Sequence, residues 1–189
     1  MTVRMGSPRL RADCTQCCGL CCVGPAFDAG QGFGFDKPAH TPCAHLCGDF
    51  RCGIHDRLRE HGFPACVTFD CHGAGQRVTQ QLFAGRSWKS SPELAPRMFE
   101  AYRRYRALHE LLALLEVAIE RVPVREARPL AELSQSIDAL CESGAAAVGT
   151  LAIDVLRKEV LGRLRAVLGP GCGLSGVSTD DTLSARSQP

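Results

Sequence analysis

The sequence predicts a small α+β protein: an irregular cysteine-rich domain over residues 1–85, an antiparallel bundle of about three helices over residues 91–170, and a disordered tail over 171–189. Three observations carry that expectation. Ten of the twelve cysteines lie between Cys14 and Cys71, and only Cys141 and Cys172 lie beyond. Up to about residue 85, turn signals such as "GPAFDAGQGFG", "DKPAHTPC" and "GFPAC" follow one another too closely for long helices or a sizeable apolar core. From Ser90 onward, apolar residues recur at steps of three and four, the spacing of one helix face.

Within the first 85 residues, brief period-2 alternation predicts short strands or hairpins around "DFRCGIH" and "ACVTFDC", and "HDRLREHG" suits a helical turn. So few large apolar residues cannot hold a segment of this size, which therefore needs staples.

The second half reads more regularly. Ser91 suits an N-cap, Pro92 the first helical position where its missing N–H costs nothing, and Glu93 the positive helix end. Leu94, Met98, Tyr102, Tyr105, Leu108, Leu112, Leu115 and Ile119 then form an apolar stripe, which Pro123 terminates. A shorter helix runs from Pro129 to Cys141 through Leu130, Leu133, Ile137 and Leu140, and "SGAAAVG" separates it from a third. In the third, Leu151, Val155, Leu156, Val160, Leu164 and Val167 share a face until Gly169-Pro170 stops it. Beyond about Leu174 the chain is polar and suits disorder. Three amphipathic helices pack most simply as an antiparallel bundle.

Composition narrows the function. The longest apolar stretch, "ALHELLALLEVAI", is interrupted by Glu110, Glu116 and Glu120 and is short of the roughly 20 apolar residues a membrane span requires. "MTVRMGSPRLRADC" carries arginines but no apolar core of a secretory signal, which points to the cytoplasm. Lys plus Arg number 22 against 20 Asp plus Glu, so net charge calls for neither nucleic acid nor an anionic membrane. A reducing compartment keeps thiols free and reserves dense cysteine spacing for metals or catalysis, so metal binding leads over disulfides and over unliganded reactive thiols.

Zinc takes four thiolates or imidazoles in a tetrahedron, commonly from closely spaced pairs whose turn lets two side chains converge. Cys14 and Cys17 form such a pair, and Cys18 and Cys21 offer another. Cys43 with Cys47, Cys47 with Cys52, and Cys66 with Cys71 add more, with Gly19, Gly24, Gly48 and Gly53 giving backbone room. Adjacent Cys21 and Cys22 serve either two sites or one polynuclear site. Lys37, Arg51, Arg57 and Arg59 are available to offset thiolate charge. An iron–sulfur cluster is the competing cofactor, but the ferredoxin run ending in Cys-Pro is missing.

Cys14-x2-Cys17-x3-Cys21-Cys22, then "PCAHL" with Cys43, "RCGIHDR" with Cys52 and "PACVTFDC" with Cys66 and Cys71, resembles the YkgJ-like zinc/iron-chelating CxxCxxCC family. The resemblance covers roughly residues 13–77 and implies a small cysteine-cluster fold that coordinates zinc or iron through Cys14, Cys17, Cys21, Cys22, Cys43, Cys52, Cys66 and Cys71, with no catalytic reaction common to the family. "DFRCGIHDRLREHGFPACVTFDCHGAGQ" is also similar to the segment preceding the repeats in some actinobacterial pentapeptide-repeat proteins, although no such repeats follow here. The first motif departs from the family pattern, with one extra residue if Cys17 is the ligand and a longer first spacing if Cys18 is. His55 stands where the family often has Tyr.

Other features have bland readings beside the interesting ones. Cys18 and Cys47 are spare ligands or space fillers, Cys141 suits a buried apolar position, and Cys172 lies in a Gly-rich stretch. His40, His45, His55, His61 and His72 raise a ligand question, yet eight matched thiols already complete two tetrahedra. In "YRRYR", Tyr102 and Tyr105 fall on the apolar face while Arg103, Arg104 and Arg106 point mostly away, which disfavours nucleic acid. "GAGQR" lacks the Lys-Ser/Thr of a phosphate loop, and no Ser/His/Asp spacing supports hydrolysis. The expectation is a zinc-binding protein rather than an enzyme, its metal structural or carried, with iron or an iron–sulfur redox centre as the alternative and the helical segment as the surface for a protein partner.

Overall fold

The computed structural model of the protein describes residues 7–169. Among the described residues every regular element is helical, which corrects the expected α+β class to all-α. Extended pairing is reduced to two isolated bridges, Phe27 with Lys37 and Leu46 with Cys52, so "DFRCGIH" contributes a single bridge and no strand. The cysteine-rich half holds short helices α1 (Leu20–Val23), α2 (Pro64–Thr68) and α3 (Ala74–Arg77), the last widening into a π turn over Val78–Leu82. Helix α2 takes up most of "ACVTFDC". Pro64 occupies the first helical turn there, so its fixed φ starts a helix where alternation suggested a strand. "HDRLREHG" contains a 3-10 turn at His55–Arg57.

Helix α4 (Ala95–Arg121) follows a 3-10 turn over Pro92–Leu94, and Ser91 precedes that turn without a side-chain capping bond. It is buried on more than the expected stripe. Phe99, His109 and Leu111 join Met98, Tyr102, Tyr105, Leu108, Leu112 and Leu115 in the interior, because the cysteine-rich half covers one side of α4 and the other helices cover the rest.

Only Val122 and Pro123 separate α4 from α5 (Val124–Glu142), a connection that forces the two antiparallel. Helix α5 begins five residues before Pro129, the expected start, because a proline near the N-terminal end removes just one backbone bond. The "SGAAAVG" separator is itself helical as α6 (Ala145–Thr150), and α7 (Ile153–Leu168) closes the bundle. On α7 the buried residues are Val160, Leu161 and Leu164, while Val155 is exposed. Pro170, Cys172 and the expected tail lie outside the described residues, as does the start of the segment read for a secretory signal. No described helix is long and apolar enough to cross a membrane.

Two apolar clusters organise the molecule. The larger joins Leu20, Val23, Ala74 and Val78 of the cysteine-rich half to α4, α5 and α7. The smaller, of Phe27, Cys43, Ile54, Leu58 and Phe63, lies within the cysteine-rich half.

Candidate metal centre

Of the eight cysteines that the family resemblance implies as ligands, seven divide between these clusters, and Cys14 borders the first. Cys14, Cys17, Cys21 and Cys71 line one small cavity of about 20 Å³, together with Gly75 and Tyr102. Cys22, Cys52 and Cys66 pack with Cys43 in the smaller cluster. The two groups meet at α1, where the sulfurs of Cys21 and Cys22 stand 3.7 Å apart. No disulfide joins the cysteines among the described residues.

The first group is held by the helix that follows it. Gln76 on α3 accepts the Asp13 N–H at 2.6 Å and donates to the Arg11 carbonyl at 2.9 Å, and Gln80 donates to the Gln16 carbonyl at 2.8 Å. The loop carrying Cys14 and Cys17 is thereby fixed over α3. Asp13 caps the turn at Cys14 by accepting the Thr15 N–H at 2.9 Å. Trp88 donates its indole N–H to the Cys18 carbonyl at 2.8 Å. Gly75 is required by close approach, since a Cβ there would lie 2.7 Å from the Cys17 sulfur and 3.9 Å from that of Cys71.

A buried lysine anchors the second group. The Lys37 ammonium donates to the carbonyls of Pro25 (2.6 Å), Thr41 (2.8 Å) and Pro38 (3.0 Å) and sits 4.5 Å from the centre of the Phe27 ring. Its charge stands near Cys22 and Cys43, whereas Arg51 pairs on the surface with Asp49. Phe27 stacks on Phe33 with ring centres 4.4 Å apart, and Phe35 meets Phe63 edge-on at 5.2 Å.

Both groups aim backbone N–H groups at sulfur two or three residues behind. Gly19 and Leu20 do so at Cys17, His45 at Cys43 at 3.5 Å, and Ile54 at Cys52. Such donors favour thiolate over thiol. Burial works the other way and dominates, pushing the Cys17 and Cys66 thiols to about 11 and raising Cys14, Cys43 and Cys52. The sulfur–sulfur hydrogen bond between Cys21 and Cys22 raises Cys21 and lowers Cys22, the latter helped by Lys37. Buried sulfurs that resist ionisation, yet carry donors suited to thiolate, release protons when a cation replaces them.

The donor chemistry, though not the present spacing of the sulfurs, suits a thiolate-bound metal ion on three counts: two sets of four soft donors, the close approach at Gly75, and a buried hydroxyl with no partner, that of Tyr102. Leaving such a hydroxyl unpaired costs about 1–3 kcal/mol. Among the described residues no group of three His, Cys, Asp or Glu side chains is gathered tightly enough to hold an ion.

The remaining candidates lie elsewhere. Cys17 faces the small cavity, while Cys18 is buried against Thr79 and Met98, its sulfur 3.4 Å from the Thr79 hydroxyl. Cys47 is exposed at the rim of the second group, and Cys141 is buried on α5. His40 stacks on Phe99, His45 packs between Phe35 and Phe63 and lies 5.9 Å from His61, and His55 is exposed. The His72 carbonyl accepts the Nδ1–H of His109 at 2.6 Å.

Sequence reasoning missed Tyr102, Gly75 and His109. Tyr102 lay on the expected apolar stripe, and no local signal separates a core tyrosine from one that borders a cavity with cysteines. His109 is fully buried on α4, and its Nε2 is 3.5 Å from Arg77, which in turn donates to Asp138 at 3.0 Å. Arg9 also pairs with Asp138. This network ties α3, immediately after Cys71, to α4 and α5.

The arginines of "YRRYR" line a different cavity, of about 160 Å³, beside the start of α7. Arg104 donates to the carbonyls of Val148, Gly149 and Leu151, Arg103 pairs with Glu100, and Arg157 pairs with Glu110. The Arg104 and Arg157 guanidinium groups pin α6 and α7 to α4.

A Bacillus subtilis (strain 168) protein named uncharacterized protein YybG is 39% identical over 155 residues, which is 80% of this chain and 54% of the relative. The chain thus spans about half the length of the curated relative it matches. No family model and no solved structure matches it.

Proposed function

We propose that the protein is a metal-binding cysteine-cluster protein of the YkgJ-like kind, holding zinc in preference to iron. One ion would be held by Cys14, Cys17, Cys21 and Cys71 and another by Cys22, Cys43, Cys52 and Cys66. The observation that carries this reading is the division of eight thiols, seven of them buried or half-buried and Cys14 exposed, into two sets of four, each set supplied with backbone N–H donors aimed at sulfur. Bound zinc would supply a fixed divalent charge and no redox chemistry. The chain's own residues orient the sulfurs, exclude water from them and, through Lys37, offset thiolate charge. The metal is then structural or carried, in a reducing cytoplasmic setting. The helical segment is free to take a protein partner, with Val124 and Val155 exposed.

Elemental analysis and an absorption spectrum of protein purified without air test the reading. The expected result is about two zinc ions per chain, no visible colour and no change with dithionite. Brown protein with equal iron and acid-labile sulfide would replace it with the iron–sulfur reading.

A further inference from the structure

We propose that Tyr102 is a positioning residue of the first cysteine group, donating its hydroxyl hydrogen to a metal-bound thiolate there. The inference rests on the metal-binding reading. Tyr102 is 3% exposed, and its hydroxyl is the buried side-chain oxygen or nitrogen that finds no partner among the described residues. It borders the same small cavity as Cys14, Cys17, Cys21 and Cys71. Buried polar groups without partners are rare enough to require a reason.

The chemistry of sulfur supplies one. A thiol is a weak acceptor, whereas a thiolate is a strong one that takes a charge-assisted hydrogen bond. Replacing the protons of this group by a cation therefore creates the acceptor that the hydroxyl lacks. Outer donors of this sort orient metal ligands and tune them. The ring cannot easily turn away: it is part of the long helix α4, and Gly24 lies so close that a Cβ there would stand 3.3 Å from the Tyr102 ring. The second group is enclosed instead by phenylalanines and Lys37.

The chain provides its own control. Its other tyrosine, Tyr105, lies one turn along the same helix and donates its hydroxyl to the Cys141 carbonyl at 2.9 Å, away from the cysteine groups.

The test uses the full chain loaded with cobalt(II) as wild type, Y102F and Y105F. The readouts are the thiolate-to-cobalt charge-transfer band and the rate of iodoacetamide alkylation mapped to individual cysteines. A hydrogen bond lowers the energy of the sulfur lone pair and blunts its attack on electrophiles. Y102F should keep its cobalt, move the band to longer wavelength and speed alkylation of Cys14, Cys17, Cys21 and Cys71 about fivefold. The second group and Y105F should be unchanged. If Y102F loses its cobalt, 3-fluorotyrosine at position 102 in the Y105F background decides the matter: a stronger donor moves the band to shorter wavelength, and an unmoved band overturns the proposal. Cobalt-loaded Y102F indistinguishable from wild type overturns this proposal alone. Wild type that takes up no cobalt overturns the metal-binding reading and this inference with it.

Discussion

The two cysteine groups differ in what supports them. Cys14, Cys17, Cys21 and Cys71 lie against the large core, where α3 and α4 hold their backbone whether or not a cation is present. Cys22, Cys43, Cys52 and Cys66 sit in a cluster whose other fully buried apolar members are Phe27, Ile54, Leu58 and Phe63. Four such side chains, worth about 1.5–3 kcal/mol each, are little to order the long irregular segment from α1 to α2. On the proposed metal-binding reading, the same ligand chemistry would be an accessory to folding in one group and its main support in the other.

Metal withdrawal should break that symmetry most strongly, because structural zinc contributes on the order of 10 kcal/mol per site. Chelation, C43S or C66S should expose the segment between α1 and α2 to protease while leaving the helical circular-dichroism signal largely in place. C14S should leave that segment protected. Equal protease sensitivity of C14S and C43S would remove the distinction.

The first group's dependence on the bundle is tested next through Arg77. Arg77 and Asp138 are both buried, and truncating one partner of a buried pair costs about 3–5 kcal/mol. Arg9 remains to pair with Asp138, so R77A should fall near the lower end of that range. Urea unfolding should show the loss, and competition with a chromophoric chelator should show weaker metal retention in the first group than in the second. Unchanged retention in both would mean that α3 does not transmit the damage to Cys71.

Acid should act in the same direction with an effect no larger than that. Burial lowers His109 from an ordinary value of 6.5 to about 4, with its Nδ1–H held by the His72 carbonyl. Above pH 6.5 the imidazole is neutral both folded and unfolded. As pH falls from 6.5 towards 4, the unfolded chain takes up a proton that the folded chain refuses, so stability declines by roughly 3 kcal/mol across that window. H109Q should flatten this part of the stability profile relative to wild type, and parallel profiles would refute the assignment.

Legibility followed the physics of each region. Helices α4, α5 and α7 were readable because a 3.6-residue period persists over many turns, although the burial of Phe99 and His109 was not, since it depends on the cysteine-rich half covering α4. "ACVTFDC" alternates too briefly to separate a strand from the helix that Pro64 starts. The family resemblance marked the eight cysteines without revealing their grouping. Cys66 and Cys71 are close in sequence yet belong to different groups, because α2 and the turn after it carry the chain from the small cluster to the large core.

Gly75 offers the finest test, since a single methyl group can be placed against the first group alone. Its Cβ would lie 2.7 Å from the Cys17 sulfur, closer than real contacts allow, and Ala74 beside it is fully buried, so α3 has little room to retreat. Overpacking of this kind costs about 1–3 kcal/mol. The sulfur must move instead, out of the position from which Cys14, Cys21 and Cys71 share a cavity with it. G75A should therefore remain folded, with its urea midpoint slightly lowered, and retain about one metal ion per chain, at the second group, where wild type holds about two. The protease resistance of the segment between α1 and α2 should match wild type. A G75A protein that keeps both ions would show that Cys17 binds from another position or not at all. One that loses both would show that the groups act as a single polynuclear site joined through Cys21 and Cys22, whose sulfurs stand 3.7 Å apart.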